Sequence, residues 1–174
     1  MLPDSWHISG IETKQPLPKA LFDKMIAAKN YQSGLQMLRQ VEFSLADMHL
    51  HYDYDPNGRK TVQDVLDAIR HKYAVVIPPE FNRFLQSFSH IFAGGYAAGY
   101  YSYKWAEVLS ADVYSAFEES LADGNDLISP AMGAKLLEEI LSVGGSRPAI
   151  ESFVAFRGRQ PSIDALLRHN GLAA

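Results

Sequence analysis

The chain has 174 residues, a formal net charge of −4 and no cysteine, so disulfides and thiolate metal ligands are excluded. This length suits one domain of about 100 to 200 residues, and no apolar run approaches the roughly 20 residues that cross a bilayer. Lysine and arginine are scattered among acidic residues, so nucleic-acid binding is not expected, and the start lacks a basic and apolar leader, which makes the cytoplasm the expected location.

Helical spacing dominates the first seventy residues. Pro18 suits a first helical turn, and the helix that it opens is predicted to end near Asn30. A longer helix over residues 31–52 carries an apolar stripe that is predicted to face the core. The stripe consists of Leu35, Leu38, Val41, Leu45 and Met48.

A third helix is predicted after the polar turn "DYDPNGRK". Thr61 and Asp64 resemble an N-terminal cap with its acidic first turn. The inward positions of this helix are Val62, Val65, Leu66 and Ile69. The following "YAVVIP" is short and lies before two prolines, so an extended connection is expected there rather than a strand.

The second half is also predicted to be helical. Residues 96–122 contain no breaker except Gly99, which favours one long helix. Ser129 and Pro130 suit a helix start, Gly144-Gly145 suits its end, and "SIDALLRHN" fits a last helix. We therefore expect residues 1–174 to form a single all-α domain.

A histidine, a glycine pair and four tyrosines occur in "FSHIFAGGYAAGYYSYKW", residues 88–105. If residue 96 begins a helix, Tyr96, Tyr100 and Tyr103 share one face. Phenols are neutral hydrogen-bond donors at pH 7 and can stabilise a carbonyl or an oxyanion. His90 could donate to the same oxyanion, and Gly94-Gly95 could expose backbone amides to an extended peptide. The alternative is an ordinary packing face with satisfied hydroxyls, and spacing alone leaves the two open.

Residues 88–119, 140–172 and 16–51 resemble the C-terminal part of the thimet oligopeptidase family of zinc metallopeptidases. The specific segment is the run from His90 through Gly94-Gly95 to the tyrosines. Val143 and Pro148 depart from the arginine and aspartate expected in near relatives, and neither belongs to that run.

The resemblance implies the C-terminal helical lobe of a zincin-type oligopeptidase, a mostly helical and two-lobed enzyme that cleaves short peptides in a deep channel. It also implies roles by motif position. Tyr103 and His90 would be catalytic, with Tyr103 directed at the tetrahedral oxyanion. Tyr96, Tyr100, Gly94 and Gly95 would bind substrate, and the partners would be short peptides and the rest of the parent polypeptide.

The zinc-binding HExxH motif of that family does not occur in this sequence. We therefore expect a C-terminal fragment of a catalytic domain, with zinc held in the full-length parent and none bound by this chain. His49 and His51 stand two apart, and on a helix such positions point in different directions, so they make a poor metal pair.

Two rival interpretations of the whole chain stay open. One is a stand-alone helical module that binds peptides without cleaving them, and the other is a structural domain whose phenols only pack. Arg157 and Arg159 could bind a substrate carboxylate, but bonds to nearby acids or carbonyls are expected instead. Asp53, Asp55 and Asn57 resemble a cation loop without its glutamate, so a solvated turn is expected.

Overall fold

The computed structural model describes residues 17–122, 124, 126 and 129–173, and these form helices with no β-strand. The predicted all-α class is therefore confirmed. The start of the chain, which lacks a basic and apolar leader, lies outside the described residues. Eight α-helices are described: α1 Lys19–Ala28, α2 Ser33–Tyr52, α3 Val62–Tyr73, α4 Ser89–Phe92, α5 Ser102–Ala122, α6 Pro130–Leu136, α7 Ala149–Arg157 and α8 Asp164–His169.

Two irregular helical turns complete the order of elements. A 3₁₀ turn at Phe84–Ser87 precedes α4, and a π-helical turn at Leu137–Leu141 continues α6. Residues 74–79, which include most of "YAVVIP", form a connection with no strand, as expected, and it bends at residues 75 and 76.

The predicted helix starts at Thr61 and Ser129 are confirmed. The Thr61 hydroxyl accepts the amide of Asp64 at 3.1 Å, and the Asp64 carboxylate accepts the amide of Thr61 at 2.7 Å. This reciprocal capping box satisfies backbone donors that an uncapped helix would leave unpaired. Ser129 caps α6 by a single bond, its hydroxyl accepting the amide of Met132 at 3.4 Å, with Pro130 in the first turn.

One hydrophobic core joins α2, α3, the 3₁₀ turn and α4. Helix α2 packs against α3. The chain then returns through the 3₁₀ turn and α4 to cover the same apolar surface. The buried residues of this core are Ala46, Leu66, Ile69, Leu85, Phe88 and Ile91.

The predicted inward faces of α2 and α3 need two corrections. Met48 and Val62 are each 36% exposed. The buried positions of α2 are Glu42, Ala46 and Asp47 instead. Glu42 can be buried because Arg70 of α3 donates to it from Nε at 2.9 Å, and a buried charge is tolerated when it is paired.

The second half is organised around α5, which packs against α7 and α8. Apolar side chains of these three helices are buried together with the polar residues Asp112, Ser115 and Ser152. The apolar ones are Val108, Ala116, Phe153, Phe156, Ala165 and Leu166.

The start of the long helix was predicted wrongly, because α5 begins at Ser102 and not at Tyr96. Ala98 has a φ of +53°, in the left-handed region that interrupts a right-handed helix. The amide of Gly99 bonds to the carbonyl of Tyr96 at 2.8 Å, which closes a tight turn. Residues 96–101 therefore form a turn that leads into α5.

Helix α1 forms as predicted, but none of its residues is buried. Its apolar positions are exposed, and they are Leu21, Phe22, Met25 and Ile26. Across the part of the chain that the structure describes, no helix combines the length and apolarity needed to span a membrane.

Candidate active-site wall

Four aromatic rings lie together where the turn at residues 96–101 enters α5. Tyr96 and Tyr103 are stacked, with centroids 5.1 Å apart, and Tyr100 meets Tyr103 edge-on at 5.3 Å. His90 of α4 lies 6.2 Å from the ring of Tyr96 and 6.3 Å from that of Tyr100. We call His90, Tyr96, Tyr100 and Tyr103 the tyrosine cluster.

Tyr100 is the anchored member of the tyrosine cluster. Its ring is half-buried against Phe88 at 5.2 Å and Phe43 at 5.8 Å. Its hydroxyl donates to Gln40 Oε1 at 3.0 Å. Burial raises the pKa of Tyr100, partly opposed by the charge of Arg39, so its phenol stays protonated at neutral pH with its proton already engaged.

Tyr96 and Tyr103 form the accessible part of the tyrosine cluster, with 36% and 40% of each residue exposed. A side-chain hydrogen bond with Tyr96 raises the pKa of Tyr103, and partial burial and the nearby phenols of Tyr96 and Tyr100 act in the same direction. A phenol with a raised pKa is a neutral donor throughout the physiological range. Tyr103 therefore keeps its phenolic proton at the accessible edge of the tyrosine cluster, beside the hydroxyl of Tyr96.

Asp47 of α2 binds the backbone of the turn at residues 96–101. The two carboxylate oxygens accept the amide of Ala98 at 2.9 Å and that of Tyr100 at 2.8 Å. Asp47 is 0% exposed. These bonds span more than fifty residues of sequence and place the rings of the cluster relative to α2.

The glycine pair shapes the link between α4 and this turn. A Cβ on Gly94 would lie 2.9 Å from backbone atoms of His90, closer than real side chains come. Gly95 has a φ of +81°, a conformation that glycine adopts at little cost. The amide of Gly94 donates to the carbonyl of Ser89 at 2.8 Å. The pair thus brings His90 and Tyr96 close together.

His90 lies on the exposed side of α4. The amide of Tyr96 bonds to its backbone carbonyl at 3.1 Å, while its imidazole lies beside the rings of Tyr96 and Tyr100. The structure thus brings together the four aromatic residues that the sequence analysis selected, although Tyr96 and Tyr100 reach the cluster through a turn and not along a helix face.

The other sequence candidates have structural partners. Arg157 and Arg159 both bind Asp112 of α5, with the closest contact, from Arg159 Nη2, at 2.6 Å. The expectation that they bond to nearby acids is confirmed. Within residues 53–58, the Asp55 carboxylate accepts the amide of Asn57 at 2.9 Å and its carbonyl accepts that of Gly58, which closes a turn.

The described residues offer no cluster of ligands for zinc. In residues 17–122, 124, 126 and 129–173, no group of three or more histidine, cysteine or acidic side chains could hold a metal ion. His49 Nδ1 contacts Asp53 at 3.0 Å, and His51 Nδ1 contacts Asp47 at 2.9 Å. The described donor set does not fit zinc.

The sequence analysis missed two residues that organise the tyrosine cluster, Asp47 and Gln40. A signal for Asp47 exists, since an aspartate in the middle of a helix is intrinsically unfavourable and this one follows the apolar run "FSLA". Gln40 is an ordinary helix residue, and only the fold shows that it meets a phenol sixty positions away.

Residues 7–172 match the peptidase family M3. Oligopeptidase A of Salmonella typhimurium is 51% identical over 95% of this chain and 24% of its own length. Oligopeptidase A of Escherichia coli is 50% identical over the same shares. The organellar oligopeptidase A of Arabidopsis thaliana is 48% identical over 94% of this chain and 20% of its own length. The chain thus spans a quarter or less of the length of these relatives.

Proposed function

Since the chain belongs to peptidase family M3, we propose that its tyrosine cluster is one wall of a peptidase active site. In this proposal, Tyr103 donates a hydrogen bond to the oxyanion that forms when a peptide bond is attacked. Tyr96, Tyr100, His90 and the Gly94-Gly95 turn bind the substrate around it. The substrates are short peptides, and the remaining active-site groups belong to other parts of the complete protein.

The observation that carries the proposal is the difference between Tyr100 and Tyr103. The Tyr100 hydroxyl donates to Gln40 in the half-buried part of the cluster, whereas Tyr103 shares its hydrogen bond with the similarly exposed Tyr96 and stands at the accessible edge with a raised pKa. A preorganised neutral donor stabilises the negative charge that develops in the transition state and does not repel it. The geometry therefore favours Tyr103 as the oxyanion donor.

Zinc is part of the proposal for the complete protein, where it would polarise the peptide carbonyl and supply an activated water. Its ligands would come from residues outside this chain. The role proposed for the described residues is to bind and orient a peptide and to hold a proton at the Tyr103 hydroxyl.

The test is peptide turnover by the complete protein carrying Tyr103→Phe. Removal of one oxyanion donor is expected to lower kcat by about 100-fold to 1,000-fold with little change in KM. Tyr101→Phe is the matched control, since Tyr101 is 51% exposed and stands two positions away. The control is expected to stay within about twofold of the parent rate.

Two results would contradict the proposal. Undiminished turnover by Tyr103→Phe would remove Tyr103 from the reaction. Peptide binding without any turnover by the complete protein supplied with zinc would favour the non-catalytic helical peptide-binding module.

A further inference from the structure

The buried carboxylate of Asp47 has no catalytic role in the proposal above, yet it lies directly beneath the tyrosine cluster. It is 0% exposed and accepts the amides of Ala98 and Tyr100 at 2.9 and 2.8 Å. A carboxylate taken out of water is destabilising unless hydrogen bonds and charges compensate it. Asp47 is compensated mainly by the turn that carries the tyrosines.

The turn adopts a conformation that it would not prefer alone. Ala98 has a φ of +53°, and a non-glycine residue in the left-handed region costs roughly 1 to 2 kcal/mol. Ala98 is also one of the residues whose amide Asp47 binds. The carboxylate therefore opposes the tendency of residues 96–101 to continue α5 towards its N-terminus, as their helix propensity alone predicts.

His51 completes the arrangement one turn further along α2. Its Nδ1 lies 2.9 Å from Asp47 Oδ1 and 3.0 Å from the Asp47 carbonyl oxygen. Both of these atoms are acceptors, so Nδ1 carries the proton and donates to them. His51 supports the carboxylate without touching the tyrosine cluster, and its ring contacts Phe92 at 5.8 Å.

We propose that Asp47 is a positioning residue for the tyrosine cluster: by binding the amides of Ala98 and Tyr100, it sets where α5 begins and so where the Tyr103 hydroxyl stands. The path is short. Tyr103 follows Tyr100 by three residues, its amide bonds to the Tyr100 carbonyl at 3.3 Å, and its ring meets the Tyr100 ring at 5.3 Å. This inference rests on the proposed function for its effect on catalysis.

The chain supplies a matched control in Asp112. This aspartate is also 0% exposed and also accepts a distant backbone amide, that of Ser162 at 2.8 Å. Its other side-chain partners are Arg157, Arg159 and Ser115, and none of these belongs to the tyrosine cluster. Asp112→Asn therefore reproduces the loss of a buried charge without disturbing the turn at residues 96–101.

The experiment compares Asp47→Asn and Asp112→Asn in the complete protein, each alone and combined with Tyr103→Phe. Asparagine keeps one acceptor oxygen and loses the other, so one of the two amides loses its partner. Because a small misplacement of a reacting group is costly, Asp47→Asn is expected to lower kcat about 10-fold to 100-fold with KM nearly unchanged. In the Tyr103→Phe background that penalty is expected to vanish, since groups that act as a unit are not additive.

A second readout does not depend on catalysis. Hydrogen exchange of the peptide covering residues 96–101, followed by mass spectrometry, is expected to be at least about tenfold faster in Asp47→Asn than in the parent protein. Asp112→Asn is expected to leave that peptide unchanged. If Tyr103→Phe proves fully active, the proposed function fails, and this exchange measurement still decides whether Asp47 holds the turn.

Parental exchange at residues 96–101 in Asp47→Asn would overturn the inference. Where Tyr103→Phe is impaired, a folded Asp47→Asn protein with unchanged kcat would overturn it as well. A kcat penalty that is fully additive with Tyr103→Phe would do the same, because it would show a route independent of the phenol. Should Asp47→Asn not fold, His51→Gln takes its place. That variant keeps both amide bonds, and a smaller change in the same exchange peptide is expected, whereas no change would count against the inference.

Discussion

Asp47 and Asp112 are two fully buried aspartates on helices, and they have different partners. Each lies on one of the two longest helices, α2 and α5, and each is 0% exposed. Each accepts backbone amides from a segment about fifty residues later in the chain, at residues 98 and 100 for Asp47 and at residue 162 for Asp112.

The difference lies in the charges that surround them. Asp112 contacts the guanidinium groups of Arg157 and Arg159, and Arg157 also binds Glu119 with contacts of 2.7 and 2.8 Å. The partners of Asp47 are the half-buried side chain of His51 and the amides of Ala98 and Tyr100. Opposite charges make Asp112 a point of attachment for the C-terminal segment, whereas directional amide bonds make Asp47 a determinant of backbone conformation. A buried aspartate can thus serve stability or local geometry, depending on what it binds.

The largest expected effect is the loss of stability in Asp112→Ala. The substitution leaves Arg157, Arg159 and the amide of Ser162 without their shared acceptor. Breaking a buried charge cluster in this way costs about 3 to 5 kcal/mol in the free energy of unfolding. Urea unfolding followed by helical circular dichroism measures it.

Asp47→Ala is the comparison for that experiment. It leaves two backbone amides and a histidine without their acceptor, but no guanidinium group. The loss in the free energy of unfolding is therefore expected to be smaller than that of Asp112→Ala. An equal or larger loss in Asp47→Ala would show that the division between a stabilising and a positioning aspartate is wrong.

The decrease in the free energy of unfolding at acid pH is expected to arise from the groups around Asp112. Burial alone would raise the pKa of Asp112, but the hydrogen bond from Arg159, the Ser162 amide and the two guanidinium charges outweigh it and hold the pKa below its usual value. A carboxyl group whose pKa is lowered on folding contributes stability above its unfolded pKa of about 3.9, and this is lost as the pH falls through the folded value. Arg157 likewise lowers the pKa of Glu119.

Arg159→Gln tests this assignment by removing one of the two guanidinium groups from Asp112. The folded pKa of Asp112 then rises, so the free energy of unfolding is lower at pH 7 and falls less between pH 5 and pH 2 than in the parent. Urea unfolding at several pH values measures both changes. Arg83→Gln is the control, since within the described part of the chain Arg83 donates to the backbone carbonyls of Glu80 and Asn82. An identical loss of stability between pH 5 and pH 2 in Arg159→Gln and in the unsubstituted protein would contradict the assignment.

Local sequence signals predicted much of the secondary structure. Thr61 and Ser129 carry their capping partners within three residues, and those starts are found where they were expected. The boundary at Ser102 could not be obtained in this way, because it depends on Asp47, about fifty residues earlier in the chain. Helix propensity is a weak preference that such a tertiary contact overrides.

The candidate site shows the same limit. The resemblance selected Tyr96, Tyr100, Tyr103 and His90, and the structure brings their rings together. The reason given from periodicity was wrong for Tyr96 and Tyr100, which precede the helix. The distinction between the engaged Tyr100 hydroxyl and the exposed Tyr103 was also beyond the sequence, because it requires knowing that Gln40 meets Tyr100.

The smallest expected effect is electrostatic, in Tyr96→Phe. Phenylalanine keeps a ring that can stack on Tyr103, now 5.1 Å away, and removes the hydroxyl that is the largest cause of the raised pKa of Tyr103. The pKa of Tyr103 is therefore expected to fall towards the usual value near 10, roughly that of an isolated tyrosine. Titration of the Tyr103 ring carbon by ¹³C NMR, in protein labelled at tyrosine, measures the change. Tyr114→Phe is the control, since Tyr114 lies on α5 against His169, at a centroid distance of 5.6 Å. If Tyr103 titrates alike in Tyr96→Phe and Tyr114→Phe, the phenols of Tyr96 and Tyr103 are not coupled. The contrast between the tyrosine cluster, organised by neutral donors, and the surroundings of Asp112, organised by charge, then loses its electrostatic basis.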